Sequence, residues 1–350
     1  MLWSPLSEIP WIGRSSIFVW TLLVFTLLQF PVGFAPNIAT FLVFRAITGF
    51  FGSPCLATGG GVIVDLYAHD PVKVLSNICV YSSFGVLGPV LGPIIGAYVA
   101  PARGWSWTIW VFTWLCGFVF IIMFFMFPET TTANILHNRA KRLRKHTQNP
   151  RFRSQSEMDS VNHKVRDRLI VLARAFTLTF FEPIVFLMDL YTGLLYGVLF
   201  IWFESFPLVF GDIYEFSIGS QGLVFIGIFV GSFITAPLMI LWIRKSVGPV
   251  LTASSFKPEM LLPPAFVGCV AFPFCLFWYG WTARESVHWI IPIIGTSFFG
   301  IGIVTLFNTV FNYLAISYPS ETASIFAGNA LFRAAFGASF PLFVSLSNYS

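Results

Sequence analysis

Residues 106–127, SWTIWVFTWLCGFVFIIMFFMF, run for 22 positions without one charged side chain. A helix needs roughly 20 apolar residues to cross the hydrocarbon of a bilayer, so this stretch reads as a membrane span. Working outward, the same kind of run recurs at 16–35, 38–66 and 74–100 before it, and at 178–208, 219–243, 264–282, 288–316 and 322–346 after it. The Gly and Pro inside 38–66 and 74–100 do not disqualify those runs, because neighbouring helices in lipid tolerate breakers that a soluble helix would not. The runs are continuous and lack the short alternating segments of a β-barrel. The expected fold class is therefore an all-α polytopic membrane protein with about nine spans.

Composition excludes the alternatives. Of 350 residues, 56% are hydrophobic and 10% charged, and the mean hydropathy is +0.79. A soluble chain carries about a quarter charged residues. Forty-two Phe and twelve Trp rule out a disordered chain, and five scattered Cys make no disulfide framework. With residues 1–15 placed inside and the spans alternating, sixteen of the twenty Lys and Arg fall on the inner side. Only Arg103 and Arg284 fall outside, while Arg45 and Arg333 lie within spans. That asymmetry fixes the orientation. The net charge of +5 then reports orientation and attraction to anionic lipid, not to nucleic acid. The first apolar run begins only at Ser15–Ile17 with no cleavage site, so no secretory signal is expected.

One long polar segment, 129–176, divides the chain into 1–128, a cytoplasmic central loop, and 177–350. Its basic run Lys141-Arg142-Leu143-Arg144-Lys145 reads as a solvated, partly helical linker. Four spans precede it and five follow. Residues 1–14 look like the end of a helix and its following loop, and the last span reaches the outer face as the sequence stops. A larger bundle, with a helix missing at each end, is the expectation.

Ionisable residues inside spans are costly, and are therefore functional candidates. Arg45 is a fixed positive charge, able to pair with an acid, to orient water in a proton path, or to clasp backbone carbonyls. The fifth span places Asp189, Gly193, Tyr196, Phe200 and Glu204 at successive spacings of 4, 3, 4 and 4, on one helical face. This gives an acid near mid-membrane, aromatic surface for a flat ligand, and a second acid near the outer end. A carboxylate surrounded by hydrocarbon holds its proton more readily than one in water, and so can exchange it near neutral pH. Asn308 and Asn312 are four apart, as are Asn329 and Arg333. Amides at such places either bind substrate or join helices. Arg333 is the harder case, because a charge there must find a partner. Gly49, Gly52, Ser53, Gly59, Gly60, Gly61, Gly92 and Gly96 read as surfaces for close helix packing, with a bend at Gly92-Pro93. There is no P-loop, no His pair at metal spacing and no nucleophilic triad, so neither a cofactor, a metal nor an enzyme activity is expected. Cys55, Cys79, Cys116, Cys269 and Cys275 all fall in spans as small apolar residues. Asn348-Tyr349-Ser350 matches a glycosylation acceptor but lies beside the membrane.

Three segments carry a family resemblance. PLSEIPWIGRSS resembles the loop after helix two of major facilitator superfamily transporters, with Glu8, Gly13 and Arg14 at the matching places. LVFRAITG resembles that superfamily's helix-four motif, through Arg45 and Gly49. GVLGPVLGPIIGAYV resembles its helix-five antiporter motif, through Gly88, Gly92, Pro93 and Gly96, although Tyr81 stands where an earlier Gly would be. FRAITGFFGSPCLATGG, RGWSWTIW, FPETTTANILHNRAKRLRK, EPIVFLMDLYTGLLYGVLFIWFESFP, PEMLLPPA and NALFRAAFGASFPLF resemble the fungal drug:proton antiporters of the benomyl- and polyamine-resistance type. The resemblance implies a major facilitator fold of two pseudo-symmetric helical bundles with twelve spans, of which helix one, most of helix two and helix twelve are not in this sequence. It further implies a proton-driven exporter of small amphipathic compounds working by alternating access. Arg45, Asp189, Glu204 and Arg333 are the coupling candidates, and Tyr196, Phe200, Asn308, Asn312 and Asn329 would line the substrate cavity. A monomer in the plasma membrane is expected, with the vacuolar membrane as the other location. Uptake or facilitated movement of a nutrient or polyamine, and a non-transporting fragment, are the alternatives.

Overall fold

The computed structural model describes residues 2–7, 9, 11–155, 157–158, 176–251, 256–319 and 321–347. Glu8, the glycosylation acceptor at Asn348 and most of 159–176 of the expected central loop lie outside the described residues. The chain is built of helices: α1 (Arg14–Gly33), α2 (Ile38–Tyr67), α3 (Pro71–Arg103), α4 (Trp105–Met126), α5 (Thr132–Thr147), α6 (Pro183–Phe206), α7 (Ile226–Trp242), α8 (Pro263–Thr282), α9 (Ile290–Ser317) and α10 (Thr322–Ser347). Among the described residues, eight helices are long and apolar enough to cross a membrane, and they coincide with the first eight segments read from the sequence. The ninth segment is α10, 26 residues long. Several helices outrun the expected spans. α3 has 33 residues, and α6 continues through a π-helical turn at Pro207–Ile213. At 1.5 Å per residue α3 is about 50 Å long, well beyond a hydrocarbon core of about 30 Å.

Local chemistry sets the ends. The Asp70 carboxylate accepts from the Lys73 N–H at 3.1 Å, and Pro71 opens α3 where its missing N–H costs nothing. Gly104, with φ of 88°, closes the same helix. In the polar segment, α5 ends at Gln148, and Arg144 grips the Glu157 carboxylate through two bonds of 2.7 and 2.6 Å. That guanidinium holds the Glu157 carboxyl below its usual range.

The helices form two compact units, each assembled from separated stretches. One comprises Met1–Leu66, Ile109–Phe186 and Glu321–Ala330, and the other Tyr67–Thr108, Leu187–Ser320 and Leu331–Ser350. In the first, α1 and α4 interlock through aromatic rings. Trp110 packs over Gly33 and stands 4.7 Å from Phe34, while Phe25 meets Phe112 and Phe18 meets Phe127 edge-on. In the second, α9 is the central element, covered on several sides. Gly227 and Gly231 of α7 lie against α9 at the Ile293 and Ser297 carbonyls, and Gly300 of α9 lies against the Ile228 carbonyl and Ser232. On the α8 side, Gly268 faces Thr305 and Leu306, and Gly302 faces Phe272. Without a hydrophobic drive between helices in lipid, such backbone approach supplies the packing. α3 joins the same unit, with Leu75 and Cys79 in a buried cluster with Met239, Ile243, Val247 and Leu261.

The small-residue reading needs a correction. Gly52 against Phe25, Gly60 against Phe326, and Gly61 against the Arg14 guanidinium and Ala323 do allow close packing. Gly49, Gly88, Gly92 and Gly96 do not, for a Cβ on any of them would meet open space among the described residues. On α3 the reason is the face they share, which also carries the uncovered Phe84, Leu91 and Ile95.

This contrast is testable by thermal unfolding in detergent. Gly300→Ala should destabilise by about 1–3 kcal/mol through overpacking. Gly92→Ala should be neutral, or stabilising by up to about 1 kcal/mol through helix propensity. Equal melting temperatures for the two variants would contradict the packing described.

Candidate functional site

Two constellations of polar side chains stand out, one in each unit. In the first unit, Gly13 precedes α1 with φ of 77°, a region that L side chains rarely enter. Its missing Cβ also leaves room for the Glu129 carboxylate and the Asn134 amide. Glu129 uses that room to accept from the N–H groups of Arg14 at 3.0 Å and Ser15 at 3.2 Å, at the positive end of α1. It also accepts from the N–H groups of Thr130 and Thr131, each at 3.0 Å. The Arg14 side chain, 8% exposed, turns the other way, and its Nε lies 3.3 Å from Asp65 Oδ2 near the end of α2. Gly61, one helical turn before Asp65, gives the guanidinium its space. An ion pair and a carboxylate-capped helix end thus tie α1, α2 and the segment after α4 together on the side assigned to the cytoplasm. A joint made of one ion pair and a few hydrogen bonds can open as a unit, unlike a packed apolar core.

The second constellation surrounds Arg333. α6 and α10 approach closely because Gly193 faces Phe336 and the Phe332 carbonyl, Gly197 faces Phe340, and Gly337 faces Phe200 and Tyr196. This seats the Arg333 guanidinium over three rings, 5.5 Å from Tyr196, 5.6 Å from Phe307 and 5.4 Å from Phe311. Arg333 is 5% exposed, its Nε has no hydrogen-bond partner, and Gly85 of α3 lies beside it. Among the described residues no carboxylate lies within 4.0 Å of it. Tyr196 and Phe200 continue the aromatic wall, with ring centroids 5.3 Å apart.

The other candidates divide. Asp189, one helical face below Tyr196, is fully buried. Glu204, in the last turn of α6, is exposed. Arg45 is exposed on α2 and stacks over Phe41 at 5.1 Å, with no acid in ion-pair range among the described residues. Asn308 is engaged in joining helices. Its Oδ1 accepts from Ser82 at 2.6 Å, and its Nδ2 donates to the Val304 carbonyl at 2.8 Å and to Ser83 at 3.4 Å. Asn312 is buried too, but its Oδ1 has no partner. Asn329 is fully buried, in the part of α10 that belongs to the first unit. Sequence reasoning missed Asp65 and Glu129, although an acid in an apolar span and the FPET tetrapeptide were both visible. It also missed Phe307 and Phe311, whose four-residue spacing runs beside that of Asn308 and Asn312.

Comparison with known proteins identifies the family. Residues 1–341 match the Major Facilitator Superfamily. The chain belongs to that superfamily. It is 41% identical over 346 residues to Transporter mfs1 of Schizosaccharomyces pombe, covering 98% of this chain and 65% of that protein. To Multidrug transporter FLR2 of Candida glabrata it is 39% identical, covering 98% and 58% respectively. The chain therefore spans about three-fifths of the length of the curated relatives it matches. The crystal structure of the human organic anion transporter MFSD10 (TETRAN) superposes with a TM-score of 0.61 over 97% of this chain and 72% of that one, at 16% identity. That likeness concerns the fold alone. With its membrane-crossing helices, this Major Facilitator Superfamily chain is an integral membrane protein. The Gly13-Arg14 match of the sequence lies at the start of α1, and the Arg45-Gly49 match lies in α2.

The joint around Arg14 makes a specific prediction for the superfamily chain. A double-mutant cycle of Arg14→Gln and Asp65→Asn, read by thermal unfolding, should give a coupling of about 0.5–3 kcal/mol. Gly13→Ala should cost at least about 1–2 kcal/mol from its positive φ alone. Zero coupling, or an unchanged Gly13→Ala melt, would dissolve the joint.

Proposed function

We propose that the protein is a proton-coupled exporter of small amphipathic compounds, working by alternating access in the plasma membrane. The observation that carries this reading is the face of α6, where a fully buried acid, Asp189, is followed one, two and three turns on by Gly193, Tyr196 and Phe200. Membership of a transporter superfamily and relatives bearing the name multidrug transporter support the direction and the breadth of cargo. The aromatic surface offers dispersion contact to flat apolar molecules without demanding one shape. Asp189 would take up a proton when its surroundings open to one side and release it when they open to the other. Arg45, a permanent cation on α2, would set the potential along that route, and Glu204 would meet protons at the outer end. The proton gradient is then the energy source, and no cofactor is required. Two sequential bundles, 1–128 and 177–350 joined by the loop 129–176, would rock about the substrate site of a monomer.

The test is efflux of a fluorescent amphipathic dye from pump-deficient yeast expressing the protein. Efflux should stop with a protonophore, and Asp189→Asn should abolish the pH-driven component while surface expression persists. Arg45→Ala should slow it by about ten-fold or more, the effect of about 1.4 kcal/mol on a barrier. Proton-driven efflux that survives Asp189→Asn removes that residue from the coupling path.

A further inference from the structure

The cage around Arg333 is more selective than an aromatic wall. A cation buried in a low-dielectric span is stabilised by a counter-charge or by ring faces. Here the Tyr196, Phe307 and Phe311 rings are all close to the guanidinium, at 5.4–5.6 Å. These π faces are what would otherwise attract a cationic ligand, and a protein cation already occupies them. A second cation brought beside it would meet a like charge where water does not screen. The edge of the guanidinium is in the opposite condition. Nε, inside the 5%-exposed side chain, has no hydrogen-bond partner, and no described carboxylate lies within 4.0 Å. The planar edge of an Arg is the part that takes a carboxylate through two parallel bonds. Gly85 leaves the side of the guanidinium free of a side chain.

We propose that Arg333 is the anion-recognition residue of the substrate site, selecting cargo that carries a carboxylate or phenolate beside a flat aromatic body. The rings hold the guanidinium in place, the half-buried Tyr196 and Phe200 pack against the body of the ligand, and the edge of the guanidinium takes the negative group. The proposal rests on the reading of this unit as substrate-binding, and names the substrate class for it.

Fluorescein and rhodamine 123 share a xanthene body and differ in charge, and their binding to the purified protein can be followed by fluorescence anisotropy. Fluorescein should bind at least about ten-fold tighter, the worth of a hydrogen bond to a charged group. Arg333→Gln should bring the two affinities to within about three-fold of each other. Arg333→Lys, which keeps the charge but loses the fork, should retain part of the preference and serves if the Gln variant does not fold. Equal binding by the unaltered protein, a preference for rhodamine 123, no binding of either dye, or a preference unchanged in the folded variants would each overturn the proposal. Anion-selective binding without efflux would leave it standing and remove the exporter reading instead.

Discussion

A charge taken out of water must be held by the protein, and the buried cations Arg14 and Arg333 answer to that constraint in two ways. Arg14 meets Asp65, and Arg333 meets three rings. The glycines that seem scattered in the sequence are spent on making those meetings possible. Gly61 yields to the Arg14 side chain, Gly13 to the Glu129 carboxylate, and Gly193, Gly197 and Gly337 bring α10 close enough to α6 for Arg333 to reach Tyr196. Packing and electrostatics are therefore one design problem here. The backbone must come near before the charge can be satisfied.

The two constellations differ in kind. Around Arg14 the opposite charge of Asp65 lies 3.3 Å away, although Arg14 Nε, one of its terminal nitrogens and Asp65 Oδ2 make no hydrogen bond. Around Arg333, rings cover the face of the cation, and its buried Nε has neither a hydrogen-bond partner nor a described carboxylate within 4.0 Å. An ion beside its counter-charge serves structure, whereas one without a counter-charge is costly to keep in lipid. Asn308 and Asn312 repeat the distinction one helix away, the first engaged at both ends of its amide and the second with an acceptor unmatched.

The spans were legible in the sequence because hydrocarbon imposes its thickness on every segment, and length with hydropathy is a one-dimensional signal. The stripe from Asp189 to Glu204 was legible for a similar reason, since a helical face is fixed by spacing within one helix. Contacts between distant segments were not. Glu129 reaches the N–H of Arg14 across 115 residues, and nothing in either neighbourhood announces the other. The glycines were misread for the same cause. Gly61 and Gly92 have the same chemistry, and only the neighbour that each one faces tells a packing surface from an open one.

The open face of α3 has a mechanical consequence. Where Gly227, Gly231 and Gly300 meet backbone, α7 and α9 are keyed together, and any relative sliding would drive carbonyls into one another. At Gly88, Gly92 and Gly96 the face instead has open notches between the projecting Phe84, Leu91 and Ile95 side chains. A surface laid along it would be gripped by side chains, which can change rotamer, and not by backbone. α3 is thus open on one face to a displacement that the backbone contacts between α7 and α9 resist.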